Sequence, residues 1–327
     1  MLLLSRSDVE RLLDVDRLAE ALGPAMAELS AGGVSMPARA VVQVRELRGL
    51  LGVMPVFLDS LGILSTKLVS VFPENKGTGL PSHQAVIVVF DAQTGSPQAL
   101  MDGTFITAAR TAAGSALATR LLARSDACVL AVMGTGVQAR AHARAIPRVR
   151  PIQELRVVGR NPDKARALAE ELASESRLPT TAWELAGEAL AGADIVCAAT
   201  HSADPVIKGE WLRPGTHVNS VGLNAEGREV DGEVVRRARV VVESRAAALA
   251  PSPSGANDLL WPIRDGLIDE KHLDEIGELF SGARPGRSSA EQITLYKSVG
   301  VAVQDAVAAS LVLDAAERLG VGEHAEI

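Results

Sequence analysis

The chain has 327 residues, 47% hydrophobic and 22% charged, enough to bury about 75% of its unfolded surface on folding. Thirty-three Lys and Arg against 40 Asp and Glu give a formal net charge of −7, which lacks the basic footprint of a nucleic-acid binder, so a nucleic-acid partner is not expected. The two cysteines, Cys128 and Cys197, stand in no metal-ligand spacing, which suits a reducing cytoplasm with neither disulfides nor a metal site.

Met1-Leu2-Leu3-Leu4 gives way at once to polar Ser5-Arg6-Ser7-Asp8, and no apolar run reaches the roughly 18 residues of a membrane span, so neither a signal peptide nor a membrane association is expected. Residues 1–31 read as a helix pair: Ser7 with Glu10 forms a capping box, and Val15, Leu18, Leu22, Met26 and Leu29 recur at helical spacing. From Pro37 the period changes to that of strands, at 40–44, 50–57, 63–71 and 85–90, separated by Gly, Asp, Asn and Pro in an antiparallel pattern. Residues 104–122 form a long helix loaded with Ala, Thr and Gly.

Beyond it, strands 127–133, 154–159, 194–199, 216–221 and 239–243 alternate with helices such as 137–146 and 162–174, the mark of a doubly wound parallel sheet. The stretch 289–319 carries Val299, Val303, Ala306, Val307 and Leu311 on one helical face, and is expected to pack back on the first domain. The expected architecture is α/β: a Rossmann domain over 121–299, and an α+β domain built from both chain ends, 1–120 with 300–327.

Strand 127–133 runs into Gly134-Thr135-Gly136-Val137-Gln138-Ala139 and then a helix, which is G-x-G-x-x-A in the setting it requires. Gly134 makes the tight turn, Gly136 admits a pyrophosphate to the backbone, and Ala139 allows close helix–strand packing. The helix start, with Val137 and Gln138, presents N–H groups to the phosphates. The next strand ends at Gly159-Arg160-Asn161, where an NAD enzyme commonly carries an acid for the ribose hydroxyls. Arg160 in that place suits a 2′-phosphate, so the cofactor is read as NADP or NAD, with NADP preferred. Asn161 caps the following helix, and Thr200 and Val221-Gly222 stand at strand carboxyl ends, where cofactors lie in such sheets.

Three basic residues sit in apolar settings: Arg39 after Met36-Pro37-Ala38, Lys67 within Ile63-Leu64-Ser65-Thr66-Lys67-Leu68-Val69, and Arg110 among small residues. Buried cations want anions. Since no carboxylate neighbours them in sequence, a carboxylate-bearing substrate is the expected counter-charge.

The run Met101-Asp102-Gly103-Thr104-Phe105-Ile106-Thr107-Ala108-Ala109-Arg110-Thr111-Ala112-Ala113, the glycine fingerprint with His142, and Tyr296-Lys297-Ser298-Val299-Gly300 with Gln304-Asp305 together resemble the ornithine cyclodeaminase/mu-crystallin family. The resemblance implies a Rossmann domain, a split domain that forms a homodimer interface, and action on small amino or imino acids with a nicotinamide cofactor. It implies that Arg39, Lys67 and Arg110 hold the substrate carboxylate, and that Arg110, Thr111, Gln138, Thr200 and Ser298 border the cofactor. His83 matches a substrate-side position of the ketimine-reductase branch. His142 and Asp305 also match, and each is read as a packing or capping residue.

One departure bears on the reaction. Cyclodeaminases carry an aspartate two residues beyond Val-Gly, where this chain has Val221-Gly222-Leu223-Asn224. An amide orients but does not abstract a proton near neutral pH. Reduction of a preformed C=N bond asks less, and Lys67, desolvated, is the expected proton donor, unless it only neutralises the carboxylate. Lys67, Arg110 and Asn224 are thus the expected catalytic residues of an NAD(P)-dependent imino-acid reductase, or of the reverse amino-acid dehydrogenase. The alternatives are a cyclodeaminase that recycles NAD internally and a non-catalytic NADP(H)-binding protein. Leu47, Met54 and Phe57 are candidate pocket residues, though residues of this kind more often belong to the core.

Overall fold

The computed structural model describes residues 1–44, 49–75 and 77–326; Leu47 lies outside them. It divides into two compact units, Met1–Arg110 with Gly300–Ile327, and Thr111–Val299. The first division therefore falls inside the long helix, about one-third of the way along it, and not at its end.

In the first unit the chain opens as a strand, β1 (Leu2–Leu4), followed by α1 (Arg6–Leu12) and α2 (Val15–Ser30). The capping box of α1 is Ser5 with Asp8, and not Ser7 with Glu10. The reason is that Leu2–Leu4 pair with a neighbouring strand, so the helix starts directly after them, and Glu10 instead binds Arg6 at 2.8 Å. The strands β2 (Val34–Ser35), β3 (Ala40–Val44), β4 (Gly49–Leu58), β5 (Ile63–Val71), β6 (His83–Asp91) and β7 (Pro97–Asp102) precede α3 (Gly103–Leu122). β4 to β7 form an antiparallel meander, and β1 joins its β7 edge in parallel. Residues alternate across it. Met54, Val56, Leu58, Ile63, Ser65, Lys67, Val69, Ile87 and Val89 are buried on one face, and Phe57 takes the other, half-exposed face, which removes it as a companion of Lys67.

In the second unit β8 (Val129–Met133), α4 (Val137–Ala145), β9 (Glu154–Val158), α5 (Pro162–Ser176), β10 (Thr180–Trp183), α6 (Ala186–Leu190), β11 (Ile195–Ala198) and β12 (His217–Ser220) alternate. They are followed by α7 (Gly232–Arg237), β13 (Ala238–Val242), α8 (Arg245–Ala248), α9 (Asn257–Arg264), β14 (Asp274–Glu275), α10 (Ile276–Phe280) and β15 (Ile293–Lys297). The sheet order is β10-β9-β8-β11-β12-β15-β13-β14, parallel throughout. The chain fills one side from β8 to β10 and then returns to β11, the reversal that opens a ligand crevice at strand carboxyl ends. β15 is a strand where a helix was expected. All five of its residues are buried, so both faces are covered, polar and apolar residues do not alternate along it, and its period does not separate strand from helix.

The chain then returns to the first unit, where α11 (Ala302–Leu319) packs on α2, β4 and β5 and β16 (Glu323–His324) pairs with β1. Among the described residues no helix is long and apolar enough to cross a membrane.

Candidate active site

Within the first unit, Lys67 stands in the middle of β5 on the buried face, directly across from Met54 and Ile87. Only 3% of it is exposed. Its Nζ lies 2.6 Å from Asp305 Oδ2, on α11. The other oxygen of Asp305 accepts from Arg110 Nε at 3.0 Å, and Arg110 Nη1 donates to Gln304 Oε1 at 3.0 Å. The expectation that only a substrate supplies the counter-charge is therefore corrected: the chain's own Asp305 lies between two of the cations, far away in sequence, and is more than a packing residue.

α3 brings Arg110 there. Asp102 caps its start by accepting from the Phe105 N–H at 2.8 Å, and a Cβ on Gly103 would lie 3.0 Å from that of Ala85 on β6, so the small residue lets helix and sheet close up. Arg39 Nη2 donates to the Gly300 carbonyl at 2.9 Å. Gly300 has φ +78°, and a Cβ there would sit 2.7 Å from Arg110 Nη2. Only glycine both adopts that backbone and leaves room for the guanidinium.

Lys67 and Arg110 share the single carboxylate of Asp305, so these three side chains together are net positive. Burial pushes the Lys67 ammonium down to about 8, with Asp305 opposing and Arg110 and Arg39 adding to the fall. Burial alone would raise the Asp305 carboxyl, but Lys67 and Arg110 outweigh it and hold it below its ordinary range. His83, at the start of β6, is pushed down to about 4 by burial and then by the charges of Lys67 and Arg110, so it is neutral at neutral pH and belongs to the same electrostatic neighbourhood.

In the second unit the glycine turn has the geometry a pyrophosphate needs. Gly134 has φ +118°, and a Cβ there would lie 2.5 Å from the Ala199 carbonyl; its N–H donates to Val158 at 2.7 Å. Gly136 caps α4 with no side-chain hydrogen bond, and a Cβ on it would meet nothing within 4 Å. The helix start is thus an open cradle of N–H groups that fits an anion. Val137 on its first turn is 65% exposed, Gln138 is half-buried, and Arg140 pins the loop by donating to the Thr135 carbonyl at 2.8 Å. Thr111 is buried on α3. Arg160 is exposed after β9, and Asn161 caps α5 by accepting from the Lys164 N–H at 3.0 Å.

Several expected cofactor residues point their polar groups inward. Thr200 donates its N–H and hydroxyl to Glu229 Oε1 at 2.6 and 2.8 Å, and the Ser298 hydroxyl donates to buried Glu243 at 2.9 Å. Val221 N–H donates to Ala198 at 3.0 Å, and Gly222 N–H donates to Glu229 Oε2 at 2.7 Å. Asn224 has both ends of its amide in loop contacts, donating to the Ser202 carbonyl at 3.0 Å and accepting from the Glu226 N–H at 2.9 Å. These contacts fasten the loops on either side of it. His142 is buried between the Ser115 hydroxyl at 2.8 Å and the Gln138 carbonyl at 2.7 Å.

A profile of the ornithine cyclodeaminase/mu-crystallin family matches residues 1–319. The chain belongs to that family. It is 40% identical to the mouse ketimine reductase mu-crystallin over 284 residues, 86% of each chain. It is 35% identical to the Delta(1)-pyrroline-2-carboxylate reductase of Bacillus cereus over 329 residues, the full length of both. Among solved structures, the Thermococcus litoralis Delta(1)-pyrroline-2-carboxylate reductase, in complex with NADH and L-proline, superposes with a TM-score of 0.96 at 41% identity, covering 99% of this chain and all of that one.

Sequence reasoning passed over Glu229, Asp258 and Glu243, buried carboxylates that hydrogen-bond to Thr200, Gly222 and Ser298 or to the Glu229 backbone. Lys297 was seen only as part of a motif, although a lysine that closes the apolar run Ile293-Thr294-Leu295-Tyr296 carries the same signal as Lys67. Glu243 likewise closes the apolar strand β13, a visible cue. Glu229 and Asp258 sit in loop and helix sequence with no such cue.

Proposed function

We propose that this protein reduces the C=N bond of a small α-imino acid with NADH or NADPH, or runs the reverse amino-acid dehydrogenation. The observation that carries the reading is the pair of buried cations, Lys67 and Arg110, on one carboxylate, Asp305, with Arg39 held beside them on the Gly300 carbonyl. Its remaining positive charge suits an anionic substrate group, and the planar guanidinium of Arg110 suits a carboxylate.

Asp305 holds Lys67 and Arg110 in register. Lys67, lowered to about 8, carries a proton at neutral pH and releases it readily, the property of a general acid near its operating pH. The imine nitrogen takes that proton while the imine carbon takes a hydride, which the reduced nicotinamide supplies when bound. His83, neutral at neutral pH, adds a hydrogen-bonding group without further charge. The turn at Gly134 and Gly136 and the start of α4 hold the pyrophosphate, and Arg160 favours the 2′-phosphate of NADP. Asn224 leaves no general base at the position where cyclodeaminases carry an aspartate, so cyclodeamination is not the preferred reading.

The assembly is a homodimer. The outward face of the β3–β7 sheet is apolar, with Val42 62%, Leu51 41% and Val86 40% exposed, and a second copy would cover it. The working compartment is the cytoplasm. The test is oxidation of NADH and NADPH by the purified protein with Delta(1)-pyrroline-2-carboxylate, other cyclic ketimines, and keto acids with ammonia. Turnover with at least one of them is expected; a protein that binds the cofactor and turns over none is a binding protein, and the reading falls.

A further inference from the structure

The carboxyl ends of β11 and β12 are tied together by one buried side chain. Glu229 is 2% exposed and accepts four hydrogen bonds: from the Thr200 N–H and hydroxyl at Oε1, and from the Ser220 hydroxyl at 2.9 Å and the Gly222 N–H at 2.7 Å at Oε2. Two donors come from the loop after β11 and two from the end of β12, so this one carboxylate sets the spacing of both. All four donors are neutral.

The cation of the neighbourhood is already matched. Lys297 Nζ, fully buried, lies 2.9 Å from Asp258 Oδ2, and also donates to the Ser220 hydroxyl at 3.0 Å and the Gly222 carbonyl at 2.5 Å. Asp258 in turn accepts the Glu229 and Val230 N–H groups at 2.7 and 3.0 Å, which holds the Glu229 backbone in place. Lys297 thus faces two carboxylates, Asp258 directly and Glu229 through Ser220, so the three together keep one buried negative charge, and the hydrogen bonds to Glu229 itself come from neutral donors.

The glycine turn after β8 divides a dinucleotide at its pyrophosphate. Arg160 follows β9, so the adenosine half belongs over β9 and β10, and the nicotinamide half over β11 and β12, on the other side of the reversal in strand order. The oxidised nicotinamide ring is positively charged and the reduced ring is neutral. A fixed negative charge beneath the ring attracts the first and not the second, and a low-dielectric interior strengthens the difference.

We propose that Glu229 is a positioning residue for the nicotinamide half of the cofactor, and that its charge makes the site favour the oxidised ring, so that bound reduced cofactor is a stronger hydride donor than it is in water. The proposal rests on the reading that a nicotinamide dinucleotide binds at the Gly134–Gly136 turn. Neither loop order nor packing alone would make one redox form bind better than the other.

The test is the dissociation constants of the oxidised and reduced dinucleotides for the full chain and for Glu229→Gln, measured by calorimetry without substrate. Glu229→Gln is expected to weaken the oxidised form about tenfold more than the reduced form. Equal weakening of both, or no change in either, overturns the proposal. Should Glu229→Gln fail to fold, Glu229→Asp keeps the charge while drawing back its tethers; it is expected to weaken both forms together with their ratio kept, and loss of that ratio overturns the proposal. Wild-type protein that binds neither form removes the dinucleotide reading and this inference with it; wild-type binding with a ratio that Glu229→Gln leaves unchanged, or that Glu229→Asp loses, removes the inference alone.

Discussion

In the unit built from both chain ends two cations, Lys67 and Arg110, share Asp305, whereas in the dinucleotide unit one cation, Lys297, pairs with Asp258 beside a second carboxylate, Glu229, which is bound to Ser220 as Lys297 is. The two clusters are buried to similar degrees but differ in what completes them. Around Glu229 the remaining lone pairs are met by backbone N–H groups and hydroxyls, which the strand ends supply without any ligand. Around Asp305 the excess is cationic, and a protein interior has few neutral groups that satisfy several N–H donors at once. The Glu229 arrangement is complete on folding; around Asp305 the two cations exceed the one carboxylate by a single charge. Burial of charge alone therefore does not tell the two clusters apart, and the sign of the imbalance does.

The sharpest way to break this contrast is to remove the proton-bearing member of the cationic cluster. Lys67→Met leaves Asp305 its bond to Arg110, so the fold is expected to survive. Loss of a positioned general acid typically costs 10²–10⁴-fold, and kcat/KM for imine reduction is expected to fall about 10³-fold while dinucleotide affinity holds. A variant with wild-type turnover would strip Lys67 of its role. The pH profile gives the same residue a second reading. Below about 8 Lys67 carries its proton and above it loses it, so reduction is expected to decline as pH rises through that value, and amine oxidation, which needs the free base, to rise. His83 at about 4 contributes no limb near neutrality.

Asp305→Asn tests the counter-charge. Removing the carboxylate leaves buried like charges facing each other, and a loss of about 3 kcal/mol of stability is expected, read as a lower denaturation midpoint. The Asp305 charge also holds the Lys67 proton affinity up, so the falling limb of reduction is expected to move to lower pH. Asp305→Glu should restore part of both. A limb that stays in place would make Asp305 a packing residue after all.

Gly300→Ala asks whether the clamp depends on its backbone. The new Cβ meets Arg110 Nη2 in a left-handed conformation, a cost of about 1–3 kcal/mol for the strain. The expected outcome is a roughly tenfold rise in KM for the imino acid with little change for the dinucleotide, and equal changes in both would place the damage in the fold at large.

What the sequence made legible follows from range. The parallel sheet, the glycine turn and the antiparallel meander rest on periods and turn residues within a few positions of one another, and Lys67 and Arg110 stood out because their immediate neighbours are apolar. Asp305 escaped because its partners lie 195 and more positions away. Nothing local distinguishes a helix-facing aspartate that meets two cations from one that caps a turn. β1 was hidden for a related reason: Leu2-Leu3-Leu4 is equally at home in a helix, and only pairing with β7 and β16 decides for a strand. Thr200 was read at a strand end and Ser298 only through the resemblance, but the direction in which either hydroxyl donates is set by a carboxylate brought in from elsewhere.

The smallest effect belongs to the residue with the most solvent. Arg160 is exposed after β9, so a contact between its guanidinium and a 2′-phosphate is screened and is worth about 1 kcal/mol. Arg160→Ser is expected to raise KM for NADPH roughly fivefold and leave KM for NADH nearly unchanged, with the difference shrinking as salt is added. The expected contrast with the buried clusters is one of solvent: water can stand in for the charge of exposed Arg160, and cannot for that of buried Lys67 or Glu229. A variant that loses NADH and NADPH alike would show instead that Arg160 supports the adenine end through its stem, and the preference for the 2′-phosphate would have to come from elsewhere on the loop.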